Sequence, residues 1–208
     1  MKQVLRLFKN EKLYPSFSML MIGNDGVKVL GEHPIFIVYN RNDEITAYHF
    51  YDLEEILASY DDGYIPLTTE LYQHLQAFFS SKNIQLPLWN DESYFVVGNI
   101  VSMEKHPDSN HLHVCQVDIG DEVLQIVCGS KIIPLGKNVV VAKENAVLPS
   151  GKLIAKSVMN GIESDGMLCS AFELGLDPLK KEEGLLVILD QKLGTEFHPE
   201  WRRVVNVG

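Results

Sequence analysis

Apolar positions in the first ninety or so residues come in short runs: Val4, Leu5, Leu7 and Phe8, then Phe17 to Ile22, then Ile35 to Tyr39. Tyr-Pro-Ser, Gly-Asn-Asp-Gly and Asn-Arg-Asn-Asp separate them, compositions that favour turns, so the runs predict strands. Ile45 to Phe50 adds a fourth. Asp52 followed three residues later by Glu55 has the form of a capping box and predicts a short helix through about Ser59. A second helix is expected from Thr68 or Thr69, with Leu71, Leu75, Phe78 and Phe79 at i, i+4, i+7 and i+8 on one face. That stripe reads as core. The expectation is an α+β domain over residues 1–90.

Between Asn83 and Ser93 the helical period stops at Pro87 and a polar Asn-Asp-Glu-Ser cluster, which marks a boundary. Beyond it the runs are short and β-branched: Phe95 to Met103, Leu112 to Ile119, Val123 to Val127, Val139 to Ala142, and Gly166 to Ser170. Gly, Pro, Asn and Asp punctuate the gaps. Five strands in about eighty residues suit a closed barrel, which leaves no free edge. An OB barrel has this spacing, and so do other small barrels. No internal repeat or low-complexity tract interrupts the pattern, so a second, all-β domain is expected over residues 91–203.

Composition narrows the function. No window approaches the roughly 18 consecutive apolar residues that a membrane helix needs. The first ten residues are broken by charge too early for a signal peptide, so a cytoplasmic protein is expected, with no membrane partner. Cys115, Cys128 and Cys169 include no CxxC pair and read as reduced, buried thiols. His111, His113 and Cys115 alternate along a presumed strand, but three ligands on one face fall short of a structural zinc site, and no metal is expected. There is no Walker loop, no GxGxxG run and no nucleophile grouped with a base, so neither a cofactor nor an enzymatic activity is predicted. The net charge of −10 opposes broad nucleic-acid binding, which needs clustered Lys and Arg. Tyr94 to Gly175 is milder, with six lysines against nine acidic residues, a net of −3.

The wording of the second domain is specific. Val97-Gly98-Asn99-Ile100, His106-Pro107-Asp108, Leu112, Cys115-Gln116-Val117-Asp118-Ile119-Gly120, Gln125-Ile126-Val127-Cys128-Gly129 and Gly161-Ile162-Glu163-Ser164-Asp165-Gly166-Met167-Leu168-Cys169-Ser170 occur in that order. Together they resemble the tRNA-binding domain shared by the phenylalanyl-tRNA synthetase β subunit and the methionyl-tRNA synthetase C-terminal extension. Glu173-Leu174-Gly175-Leu176 and Gly184-Leu185-Leu186-Val187 are most similar to the bacterial β-subunit branch. With a short domain ahead of it and no synthetase core, the chain resembles the stand-alone bacterial tRNA-binding proteins of the YtpR type. The resemblance implies an OB fold and a non-enzymatic role in binding tRNA or similar structured RNA. It departs from the family at Ser130-Lys131-Ile132-Ile133 and at Asn160, where an Arg is usual. Loss of that guanidinium implies weaker phosphate contact.

An OB barrel binds RNA on the face of its middle strands, with polar groups on bases and cations on phosphates. The expected RNA-binding residues are Lys105, Lys131, Lys143 and Lys156 for phosphates, and Asn99, His106, Asn160, Ser164, Met167 and Ser170 beside them. Ser164 and Met167 are the stronger choices, because turn chemistry demands them less than Pro107, Asp108, Gly161 or Gly166. Tyr94, Phe95 and Phe172 lie at the ends of the segment, which favours a folded RNA read by shape over a stacked single strand. The competing reading, from the acidic balance and the absent Arg, is a protein-interaction or chaperone-like module, homodimeric or joined to a partner through residues 1–90.

Overall fold

The computed structural model describes residues 3–12, 14–90, 92, 94–177 and 184–198. The chain forms two units, Met1–Glu92 and Ser93–Gly208.

The first unit is mostly β. Strands β1 (Arg6–Lys9), β2 (Ser18–Met21), β3 (Lys28–Glu32), β4 (Ile35–Tyr39), β5 (Ile45–Phe50) and β6 (Gly63–Ile65) form one sheet in the order β3-β4-β5-β2-β1-β6. Every neighbouring pair is antiparallel. Helix α1 (Glu54–Leu57) is a single turn, and α2 (Thr69–Ser81) buries Leu71, Tyr72, Leu75 and Phe79 in a core shared with Leu7, Leu20, Tyr48 and Phe50. Phe78 of the expected stripe is only partly buried. Thr68 caps α2, its Oγ1 accepting from the Leu71 N–H at 3.1 Å.

Three expectations for this unit need correcting. Asp52 does not cap α1: its φ is 65°, outside the extended region a cap residue adopts, and Leu53 precedes the helix with no side-chain cap bond. Strand β3 was not foreseen because all five of its residues are exposed and no apolar alternation marks it. The short β6 escaped for a similar reason, since only Ile65 is buried.

In the second unit, β7 (Phe95–Lys105), β8 (His113–Asp118), β9 (Val123–Cys128), β10 (Asn138–Ala142) and β13 (Met167–Leu168) make a sheet in the order β13-β10-β7-β8-β9. β14 (Val187–Ile188) also pairs with β10, and β11 (Ser157–Met159) with β12 (Ile162–Ser164) forms a separate hairpin. The sheet curls, because β13 at one end of the order lies against β9 at the other and β12 adds to the same contact. A register shift between Ile100 and Ser102 bends β7 where it serves both neighbours. β10 is buried on both faces: Val139 and Val141 join Ile100, Val117 and Ile126, while Val140 and Ala142 join Phe95, Leu148 and Leu174. That accounts for an unbroken run of apolar residues where a half-exposed strand would alternate. The β11–β12 hairpin and β14 go beyond the five expected strands. Among the described residues, no helix is long and apolar enough to cross a membrane.

Candidate nucleic-acid interface

A groove of about 710 Å³ opens on the second unit, between the end of β9, the segment 152–157, the β11–β12 hairpin, β13 and the turn at 170–173. Its floor is apolar, with Leu153, Met159, Met167 and Leu168, and its charged lining comprises Lys131, Lys152, Lys156 and Glu173.

The walls are held by hydrogen bonds between sequence-distant residues. Ser164 Oγ accepts from the Val127 N–H at 3.0 Å and donates to the Gly166 carbonyl at 3.2 Å, which ties β12 and the following turn to β9. Gln125 reinforces the tie, its Nε2 donating to the Glu163 carbonyl at 2.9 Å. Gly166 has φ 138°, and a Cβ there would sit 2.6 Å from the Ala142 carbonyl oxygen, so a side chain would push β13 off β10. At the hairpin tip Asn160 and Gly161 both have positive φ, 47° and 86°. That is the two-residue turn for which Asn-Gly is best suited, and it accounts for an asparagine at this position.

His106 fastens the tip from the other side. Its Nδ1 accepts the Asp108 N–H at 3.1 Å, which leaves the ring proton on Nε2 to be donated to the Met159 carbonyl at 3.0 Å. Ser170 and Glu173 cap the next turn: the Ser170 N–H and Oγ both donate to Glu173 Oε2, at 2.8 and 2.9 Å, and Oγ accepts the Glu173 N–H at 3.2 Å. The acidic group beside the lysines is therefore committed to the backbone. Lys156 lies 3.3 Å from Asp165, whose hydrogen bond and charge raise the lysine pKa. Lys156 is exposed and Asp165 partly so, and solvent screens such a pair enough for a phosphate to displace the carboxylate.

Of the ten residues expected at an RNA surface, Lys131, Lys156, Ser164, Met167 and Ser170 line the groove. Ser164 and His106 are buried, at 1% and 3% exposure, and their polar atoms are bonded within the protein. Both are fasteners of the walls. Asn99, Lys105, Lys143 and Asn160 lie outside the lining; Asn99 donates to Asn138 Oδ1 at 2.8 Å. Lys152, Met159 and Phe172 enter it unforeseen. Lys152 follows a Pro-Ser-Gly turn and carries no further mark, whereas Phe172 stands near the end of the motif-bearing segment in sequence but reaches the groove in space.

The thiols are free and buried. Burial pushes Cys115 up to about 12 and raises Cys128 and Cys169 as well, which makes all three poor nucleophiles. His111 precedes β8 instead of lying on it, so the His-His-Cys alternation ends at His113. Among the described residues no group of three or more His, Cys, Asp or Glu could hold a metal ion.

Residues 95–195 match the family model described as "Putative tRNA binding domain", a stretch that contains the whole groove. A Bacillus subtilis protein named "Putative tRNA-binding protein YtpR" is 38% identical over 163 residues, covering 77% of this chain and 81% of that one. The chain belongs to the YtpR family. Its match therefore extends well beyond residues 95–195. The phenylalanine–tRNA ligase β subunit of Wolinella succinogenes is 50% identical over 99 residues, 48% of this chain but only 12% of the ligase subunit. Among solved structures, a MetRS-related protein from Pyrococcus horikoshii aligns with a TM-score of 0.39 and 24% identity, over 50% of this chain and 88% of that one. This YtpR-family chain thus shares the tRNA-binding segment with the ligase β subunits and a longer stretch with its Bacillus relative.

Proposed function

We propose that the chain is a non-enzymatic, cytoplasmic RNA-binding protein that takes tRNA or a similarly folded RNA in the groove of its second unit. The reading treats the curled sheet as an OB barrel, residues 91–203 as the tRNA-binding domain and residues 1–90 as a separate domain. One observation carries it: three lysines from two segments distant in sequence, Lys131 from one and Lys152 and Lys156 from the other, line one groove inside the matched family stretch, although that part of the chain is acidic overall. Phosphates would meet the lysines, and the apolar floor with Phe172 would take sugar and base surface. Arg would grip a phosphate through two parallel bonds where Lys is a point charge, so the affinity is expected to be modest.

Mobility-shift titration of the full chain with unfractionated tRNA at about 50 mM salt tests this, because phosphate contacts weaken steeply as salt rises. Three such contacts give a slope of about −2 to −3 in log K against log salt. Replacing Lys131, Lys152 and Lys156 together by alanine should weaken binding roughly tenfold or more, about equally across RNA sequences. No binding at tens of micromolar protein would overturn the function. Binding that survives the triple substitution would move it away from the groove.

A further inference from the structure

The first unit ends its sheet on β3, and nothing among the described residues pairs with the outer side of that strand. Such an edge offers a row of backbone donors and acceptors to a further strand. β3 is also open on both faces: Val29 is 52% exposed, Leu30 51%, and the adjoining Val27 58%. The buried core reaches β4 through Ile35 and Val38 and goes no further. An edge left bare by its own core, with three apolar side chains in four residues, suits another strand better than it suits water.

The sequence of β3 says which strand. Lys28-Val29-Leu30-Gly31-Glu32 is self-complementary when two copies run antiparallel about Leu30. Lys28 then faces Glu32 of the second copy, Glu32 faces the second Lys28, and Leu30 meets its own counterpart. Side chains alternate along a strand, so these three residues share one face, while Val29 and Gly31 pair on the other. Lys28 is held on the β4 side by its own unit, its Nζ 2.8 Å from Asp43 Oδ1 and 5.5 Å from the centre of the Tyr39 ring, so it meets a second copy with donors to spare and not as a free cation. The ammonium has three donors, and the Asp43 contact uses one of them.

We infer that β3 is the contact between two copies of this chain, joined antiparallel about a two-fold axis at Leu30 so that the two six-stranded sheets become one. The contact is isologous and closes on itself, giving a dimer and not a filament. It rests on the first unit alone and is independent of the RNA reading. Five residues a side make a small interface, so the dimer dissociates on dilution.

Two measurements on the full chain decide it. Leu30→Cys places the new thiol opposite itself, and the chain's own three cysteines are buried. Under mild oxidation this variant should form a disulfide-linked dimer at least tenfold faster than Glu32→Cys, whose counterpart lies four residues away along the partner strand. Sedimentation velocity across the micromolar range should show a monomer–dimer equilibrium. Glu32→Lys leaves the Lys28–Asp43 contact intact but sets lysine against lysine twice, and should raise the dissociation constant roughly tenfold. Lys28→Glu with Glu32→Lys, on an Asp43→Asn background so that no carboxylate of the same unit faces the new one, restores opposite charges across the axis and should recover most of that loss. A monomer at every concentration, equal cross-linking at positions 30 and 32, or a charge-swapped variant no better than Glu32→Lys would each overturn the inference. A dimer that persists through Glu32→Lys would do the same, since it would place the contact elsewhere.

Discussion

The two units close their cores with different materials. In the first, rings pack on rings: Phe79 lies edge-on to Tyr48, Phe50 and Phe78, with centroids 5.2, 5.3 and 5.5 Å apart, and Tyr72 tilts against Trp89. In the second, the interior is built from Val96, Ile100, Val117, Ile126, Val139 and Val141 with Cys115 among them. The difference follows from shape. A sheet faced by one helix leaves a deep gap between layers that large rings fill, whereas a sheet curled on itself brings its inner side chains together and admits small branched ones. Each core is therefore sensitive to the opposite error, a lost ring in one and an added carbon in the other.

The largest expected effect is Phe79→Ala. Removing a fully buried ring from α2 leaves a cavity under β5 and should cost about 3–5 kcal/mol. Hydrogen exchange followed by mass spectrometry should show the loss of protection in β2, β5 and α2, with β7 to β10 unchanged. If protection falls equally in both units, they unfold together and the difference between their cores does not extend to stability.

The converse change tests the curled sheet of the second unit. Gly98 sits in the middle of β7, and a Cβ there would lie 2.7 Å from Val141 Cγ2, 2.9 Å from Val117 Cγ1 and 3.0 Å from Ile119 Cγ2. These are side-chain tips able to shift, so Gly98→Ala should cost about 1–3 kcal/mol, confined by the same exchange measurement to the second unit. A neutral result would mean that the interior of the curled sheet yields more readily than its packing indicates.

The contrast also explains what could be read from the residues alone. The bounds of β4 and β5 are legible because β4 is a compact apolar run, Ile35–Tyr39, and β5 a mostly apolar one, Ile45–Phe50, each between turn residues. β3 was not, since an edge strand with no buried side lacks the alternation that would announce it. In the second unit, ordered motifs mark the family, and several of their residues, Met167 and Ser170 among them, line the groove, but a motif residue is not for that reason free to bind. His106 and Ser164 belong to the motifs, yet their polar atoms hold the groove walls together. Lys152 and Phe172 reach the groove through loop geometry that has no periodic signature. Whether lysines spread along a chain converge on one surface is decided by strand order, and strand order is not a local property of sequence.

The smallest effects are in pH, where the two units should respond in opposite directions. In the first, His49 on β5 is half-buried with Phe17 edge-on at 5.3 Å, and burial lowers its pKa from the ordinary 6.5. The unfolded chain then takes up a proton more readily than the folded one. Stability from this source is full above about pH 6.5 and declines as pH falls toward the depressed folded value. In the second unit burial raises all three thiols from the ordinary 9.0. The unfolded chain ionises them first, so stability is full below pH 9 and falls as pH climbs through the raised values. At pH 9 each thiol is about half-ionised when unfolded, so the loss only begins there and is small. Exchange protection compared at pH 5.5, 7.5 and 9, after correction for intrinsic rates, should show the first unit loosening at the acid end and the second at the alkaline end. His49→Phe keeps a ring against Phe17 and should flatten the acid response alone. Loosening of β7 to β10 at pH 5.5, or an acid response unchanged by His49→Phe, would assign the titration to groups other than these buried ones.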